Sequence, residues 1–244
     1  MSGHSKWHNI QRTKGVRDAE RGRIFTKTAR EIIVAVKEGG GGDPASNSRL
    51  AAAVTKAKAA NMPNDNIKRT IEKALGSGNA DNYESIVYEG FGPGGVAVIV
   101  ETMTDNRNRT ASEMRHYFDK YGGNLGASGC ARRFFDRKGV IIIDNEEEEI
   151  EEDDVITDAL DAGAQDVEAD GPVFQVFTAP ESVSAAAEVL SKKYKLLSAQ
   201  AEQVPQSRIL LTAEEDIKNM RKMIEMFEDS DDVQNVYHNS EEPE

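Results

Sequence analysis

Lys6, Arg12, Lys14, Arg17, Arg21 and Arg23 are set in a stretch, Ser2 to Arg23, whose only large apolar side chains are Trp7, Ile10 and Val16. That is too little apolar surface for a core of its own, so the stretch reads as a loosely ordered basic arm that orders on a partner. The chemistry open to such residues is the neutralisation of phosphates. Trp7 adds a ring that stacks on a base or anchors the arm, and it serves equally as a core plug. Lys27 and Arg30 continue the series into the next segment, and Lys56, Lys58, Lys68 and Arg69 form a second group.

A third candidate is Thr104-Asp105-Asn106-Arg107-Asn108-Arg109-Thr110, which joins a strand end to a helix start, where donors converge on anions. Two readings stay open there. Asp105 or Asn106 caps the helix and the arginines are solvated, or Arg107 and Arg109 add a nucleic-acid contact.

The charge distribution decides how much weight these cations carry. The chain has 244 residues and a formal net charge of -13, which by itself argues against a polyanion partner. It is unevenly spread: residues 1–76 hold 15 Lys and Arg against 7 Asp and Glu, a net of +8, whereas residues 77–244 are at -21. A local positive field attracts phosphates even on an acidic molecule.

Other chemistries fail on spacing. His4 and His8 stand four apart but have no third ligand nearby. Gly92-Pro93-Gly94-Gly95 precedes a strand and lacks the Gly-Lys-Ser/Thr end of a phosphate loop, so it reads as a tight hairpin turn. The single cysteine, Cys130, has no nearby histidine, and His116 lies mid-helix without a serine at motif spacing. No catalytic residue, metal, cofactor or small-molecule substrate is therefore expected. Apolar runs such as Ile32 to Val36 and Val96 to Val100, which no other run exceeds, are far short of a membrane span. With one cysteine and no apolar leader after Met1, the expectation is a soluble, cytoplasmic protein whose mature chain begins here.

The elements that position these residues follow from periodicity. Phe25, Ala29, Ile32, Ile33 and Val36 recur at helical spacing up to the Gly39 to Gly42 stop. A second helix is expected from Asn47 to Ala60, with Leu50, Val54 and Ala57 inward. A third starts at Pro63, with Ile67, Ile71 and Leu75 inward, and stops at Gly76.

From Tyr83 the period drops to two, with Val96, Val98 and Val100 in a strand, then a helix over 107–121 and a strand over 131–136. Residues 140–202 read as βαββαβ, a ferredoxin-like plait, whose second helix is opened by Thr178 and Glu181 at capping-box spacing. In the third strand of that plait, Phe174 and Phe177 point to opposite faces amid Asp166, Glu168 and Asp170, which marks them as core rather than base-stacking rings. A strand over 208–211, a helix over 213–228 opened by Thr212 and Glu215, and a strand over 233–237 complete the chain. Alone that tail makes no complete sheet, so residues 79–137 and 205–244 are expected to combine into one domain with 138–204 inserted, after a basic arm and three-helix domain over 1–78. The fold class is α+β: a three-helix domain, then two ferredoxin-like domains, one inserted in the other.

At Gly3 to Ile10 (GHSKWHNI), Arg21 to Lys27 (RGRIFTK), Ala29 to Ile32 (AREI), Lys56 to Arg69 (KAKAANMPNDNIKR), Tyr88 to Gly95 (YEGFGPGG), Thr104 to Glu113 (TDNRNRTASE), Gly122 to Gly126 (GGNLG) and Asp231 to Asn239 (DDVQNVYHN), the chain resembles the YebC/PmpR family almost end to end. The resemblance implies a helical N-terminal domain and two α+β domains, one interrupting the other. It also implies a non-enzymatic regulator of gene expression. Members are usually described as probable DNA-binding transcriptional regulators, while relatives act in translation, including a mitochondrial translational activator and ribosome-associated factors linked to proline-rich stalls. The motifs do not separate DNA from ribosomal RNA or tRNA. The sequence departs from the family at Cys130-Ala131-Arg132-Arg133-Phe134, where two added cations create a second contact site or decorate an edge strand.

Overall fold

Three helices come first, and a single asparagine organises the turn between the first two. The computed structural model describes the backbone of residues 18–76, 83–146 and 150–243, with side chains from residue 22 onward. Helix α1 (Asp18–Glu38) buries Ile32, Ile33, Ala35 and Val36 against α2 (Ser48–Ala59) and α3 (Asn64–Leu75). The helix takes in Arg21 and Arg23, so the arm expected to be loose through Arg23 is helical from Asp18 on. It ends where Gly40 adopts φ +88°, a conformation glycine reaches without a Cβ clash. Asn47, only 3% exposed, then caps α2: its Oδ1 accepts from Leu50 N (3.0 Å), while its Nδ2 donates to Ala35 O and Gly41 O (2.8 Å each). One side chain thus bonds three backbone groups: the orphaned Leu50 N–H at the start of α2, the Gly41 carbonyl of the loop, and the Ala35 carbonyl, which also accepts from Gly39 N. In α3 the inward positions are Ile67 and Ala74, and Leu75, expected inside, is 58% exposed because the helix terminates there.

The first sheet begins with the hairpin of β1 (Glu84–Phe91) and β2 (Ala97–Thr104), joined by the expected tight turn over Pro93–Gly95. Helix α4 (Arg107–Lys120) follows, then the two-residue strand β3 (Asn124–Leu125). The sheet is completed from the far end of the chain. After the two-residue strand β8 (Ile209–Leu210), helix α7 (Glu214–Asp229) leads into β9 (Val233–His238), which pairs antiparallel with β2 and gives the order β3-β1-β2-β9. Phe118 of α4 and Phe227 of α7 meet over this sheet with ring centroids 5.0 Å apart, both fully buried beside Val98, Met114 and Met223. Burial of such a ring contributes about 1.5–3 kcal/mol. A last strand, β10 (Ser240–Glu241), pairs in parallel with β8.

In chain order the plait comes between these halves: β4 (Phe135–Asp144), α5 (Glu152–Asp161), β5 (Asp166–Asp170), β6 (Val173–Thr178), α6 (Val183–Leu190) and β7 (Leu196–Pro205). The order β5-β6-β4-β7 is second-third-first-fourth in chain sequence, with all neighbours antiparallel, as the ferredoxin-like arrangement requires. Phe174 packs with Ile141, Ile143 and Val176 against the helices, and Phe177 packs with Val140, Ile142 and Val173 on the other face. Both rings are core, as the sequence suggested.

Three local expectations need correction. No strand covers 131–134, where Arg132–Phe134 forms a short 3-10 turn, and a single strand instead runs from Phe135 to Asp144. Neither capping box forms. Helix α6 starts only at Val183 after Ser182, with Thr178 Oγ1 donating to Ala179 O instead, and α7 starts at Glu214, which puts Ala213 and not Thr212 at the capping position.

Two compact units result. One is the plait, from Phe134 to Ser207; the other holds the helices and the first sheet, up to Arg133 and from Arg208 on. Among the described residues no helix is long and apolar enough to cross a membrane.

Candidate nucleic-acid interface

Of the cations that the sequence nominates, Lys6, Trp7's neighbour in the arm, lies outside the described residues, as do Trp7, Arg12, Lys14 and the side chain of Arg21. The rest can be placed, and they divide sharply. One group is held by the protein's own anions. The last two residues of α7, Glu228 and Asp229, and the turn after them, Ser230, Asp231 and Asp232, lie along the start and middle of α1. Arg23 Nη1 reaches Asp229 Oδ1 at 2.5 Å. Lys27 Nζ donates to the Glu228 carbonyl at 2.7 Å, and its pKa is pushed down to about 8 by burial, which outweighs the pull of Glu228, Asp231 and Asp229. Arg30 Nη1 donates to Asp232 Oδ1 (2.6 Å) and to the Asp231 carbonyl (2.5 Å), with its guanidinium carbon 5.1 Å from the centroid of the Tyr83 ring.

Asp232 is the centre of this set. A bulge in the β2–β9 ladder between Glu101 and Thr102 shifts the register, and Met103 N donates to Asp232 O at 2.8 Å, which brings the carboxylate to the end of β2. There its Oδ2 accepts from Thr110 Oγ1 (2.6 Å) and Arg109 Nη2 (2.9 Å), and Thr104 Oγ1 is 3.2 Å away. Its side chain is 5% exposed. Burial alone raises a carboxyl pKa, yet the hydrogen bonds from Arg109, Thr110 and Arg30 more than offset it and hold Asp232 below the ordinary range.

At Thr104–Thr110 the helix cap that the sequence offered as one reading is formed. Asn106 Oδ1 accepts from Arg109 N at 3.1 Å, and Arg109 also pairs with Asp105 at 2.9 Å. Lys56 is likewise engaged, by Glu31.

The other group faces solvent. Lys58, Lys68 and Arg107 are exposed and engage no carboxylate among the described residues, and Arg69, also exposed, bonds only Asn66 and the Asp65 carbonyl of its own helix. Lys58, Lys68 and Arg69 flank the turn from α2 to α3, where Asn61 takes φ +58° and Met62 is buried as the anchor.

Arg132 and Arg133 are exposed on a turn rather than an edge strand. The turn is held from below by Glu89, a 4% exposed carboxylate that accepts from Gly129 N (2.8 Å), Ala131 N (2.9 Å) and Arg132 N (2.8 Å). Burial first, then the Glu89 charge, push the Cys130 thiol up, the opposite of what a nucleophile needs. Among the described residues no group of three or more His, Cys, Asp or Glu could hold a metal ion.

Sequence reasoning missed the acidic turn as the partner of the basic helix. The signal available was the position of two family-like blocks, Thr104 to Glu113 and Asp231 to Asn239, whose residues meet at Asp232.

Comparison with known proteins bears on the same blocks. Residues 5–77 match the family model described as the TACO1/YebC protein N-terminal domain, and residues 83–240 match the model for the TACO1/YebC second and third domain. A probable transcriptional regulatory protein of Acetivibrio thermocellus is 54% identical over 240 residues, 98% of each chain. One from Geobacillus sp. (strain WCH70) is 51% identical, covering 99% of this chain and 98% of that one. The crystal structure of a conserved hypothetical protein from Aquifex aeolicus superposes with a TM-score of 0.85 at 44% identity, covering 93% of both chains.

Proposed function

The chain belongs to the TACO1/YebC family, and on that premise we propose that it is a non-enzymatic, nucleic-acid-binding regulator of gene expression whose polyanion is DNA and whose place is the cytoplasm. The observation that carries the reading is the polarity of charge: +8 over residues 1–76 on a molecule that is otherwise at -21. The names of the relatives, probable transcriptional regulatory proteins, support the regulatory part.

The contacts we assign are Lys6, Arg12, Lys14 and Arg21 of the arm with Lys58, Lys68 and Arg69 at the α2–α3 turn, Trp7 stacking or anchoring, and Arg107 as an outlying cation. Lys27, Arg30, Lys56 and Arg109 already have partners within the protein and act in this reading as supports for the basic head. Phosphate contacts carry no sequence information of their own, so specificity for a particular operator is weak.

The test is a salt titration of binding to a short duplex. If six of these eight cations engage phosphates at once, the slope of log K against log salt is roughly -5 on duplex DNA and about -4 on a single strand. A slope near zero refutes the reading. A second reading, an RNA or ribosome partner in translation, is favoured by the same exposed cations, since they engage phosphates of either nucleic acid. Cosedimentation with ribosomes, set against binding of naked promoter DNA in the same buffer, separates the two.

A further inference from the structure

One acidic stretch, Glu228 to Asp232, made of the last two residues of α7 and the turn that follows, holds four of the cations that the sequence assigns to phosphate: Arg23, Lys27, Arg30 and Arg109. The four contacts are unequal. Arg30 and Asp232 have side chains 12% and 5% exposed, and Asp232 is further fixed by Thr104 and Thr110. Opening that contact strands a buried charge. Lys27 is half-buried against a main-chain carbonyl. Arg23 and Asp229, by contrast, are 48% and 42% exposed and meet through one Nη1 to Oδ1 contact.

We propose that the Glu228–Asp232 stretch is an internal mimic of a phosphate strand, which competes with nucleic acid for Arg23 while Arg30 and Arg109 stay bound to Asp232. This inference rests on the nucleic-acid reading above and adds regulation to it. The physical argument is one of magnitudes. An exposed ion pair of this kind is worth roughly 1.5- to 5-fold in an equilibrium constant, whereas a phosphate contact also releases a counterion from the nucleic acid. Arg23 can therefore exchange Asp229 for a phosphate by a side-chain rotation, with α1 remaining packed. The carboxylate lowers the affinity of the free head and keeps it from holding stray polyanions, and the Arg30–Asp232–Arg109 cluster keeps the turn in place to do so.

The experiment compares the full chain with Asp229→Asn, and with Glu225→Gln as the control: it removes the same charge from an exposed position of α7 that takes no part in the contact. Binding to a short duplex is titrated with salt. Asp229→Asn is expected to bind about 1.5- to 5-fold more tightly than Glu225→Gln, with a slope steeper by up to about 0.9, the value of one added phosphate. Adding Arg23→Gln to Asp229→Asn is expected to abolish both gains. If Asp229→Asn binds no more tightly than Glu225→Gln, or if its gain survives the loss of Arg23, the competition is overturned while the nucleic-acid reading stands. If the unaltered chain shows no salt-dependent binding, both fall. Asp229→Ser repeats the test with a different side chain, and an unchanged unfolding midpoint for each variant shows that folding is intact.

Discussion

Arg30 and Asp232 are 202 residues apart in the chain, and Arg30 Nη1 lies 2.6 Å from Asp232 Oδ1. Their pair fastens helix α1 to the end of the first sheet, and because it is buried its loss is expensive. Asp232→Ala is expected to cost about 3–5 kcal/mol in urea unfolding, since Arg30 is left without its anion. Arg109→Gln should cost clearly less, because that guanidinium is 49% exposed and solvent replaces part of the contact. The Asp232 carboxyl is held below its ordinary value in the fold. Its contribution is therefore complete above about pH 4 and lost as the pH falls through the lower, folded pKa.

Asn47 bonds three backbone groups at once, so its truncation removes more than an ordinary cap. Asn47→Ala is expected to destabilise the protein by about 2 kcal/mol, at the upper end for a capping residue. Hydrogen exchange should show the loss at the end of α1 and the first turn of α2 before the rest of the bundle. Equal protection in both proteins would contradict the role given to this side chain.

His238 predicts a pH response that does not come from a carboxylate. Burial, reinforced by Arg208 and opposed by Glu242, lowers its pKa to about 4, and Ser240 Oγ lies 2.7 Å from Nδ1. Above pH 6.5 the ring is neutral in both folded and unfolded chains and adds no pH dependence. Between 6.5 and 4 only the unfolded chain takes up the proton, so stability falls with falling pH, by up to about 3 kcal/mol. Urea midpoints measured from pH 7 to pH 4 should show a slope that His238→Gln flattens over that window.

Glu89→Gln tests the support beneath Arg132 and Arg133. An amide keeps one acceptor oxygen and turns an NH2 group towards backbone donors, so at least one of the three N–H groups loses its partner. A loss of about 1–3 kcal/mol is expected, with faster amide exchange at Gly129, Ala131 and Arg132 as the local reporter.

For the nucleic-acid reading, Lys58→Gln and Lys68→Gln together should make the salt slope on duplex DNA shallower by nearly 2, about 0.9 for each contact. The unfolding midpoint should stay within about 0.5 kcal/mol, because both side chains are exposed. A slope unchanged by the double substitution would remove the α2–α3 turn from the contact surface.

What could be read in the sequence was whatever repeats along the chain. Ile32, Ile33 and Val36, or Met220 and Phe227, recur at helical spacing, and both sets are buried where that spacing puts them. The plait was legible because each of its elements carries its own pattern between turn residues. The continuity of β4 was not, since Gly139 looks like a break. Its reason is spatial: a Cβ there would stand 2.2 Å from Thr178 Oγ1 and 2.7 Å from Val183 Cβ, so the glycine marks a close approach inside a strand. Helix starts were also hard to place, because Thr178 and Thr212 have capping spacing but the backbone turns helical later. Least legible were the partners of the cations. Arg23 and Arg30 meet carboxylates, and Lys27 a main-chain carbonyl, some 200 positions away, and no local pattern signals a pairing made by the return of the chain.

That return has a consequence during synthesis. Strand β2 needs β9 along one edge, and the ribosome must build the whole of β4 to β7 between them. At about 5–20 residues per second, roughly 6–26 s separate the appearance of Thr104 from that of Val233. The plait has all four of its strands before then, so it can fold first, while the hairpin of β1 and β2 waits with a bare valine-rich edge. For that interval the newborn chain is open to mispairing with a neighbour, and the seam closes only when its last tenth arrives.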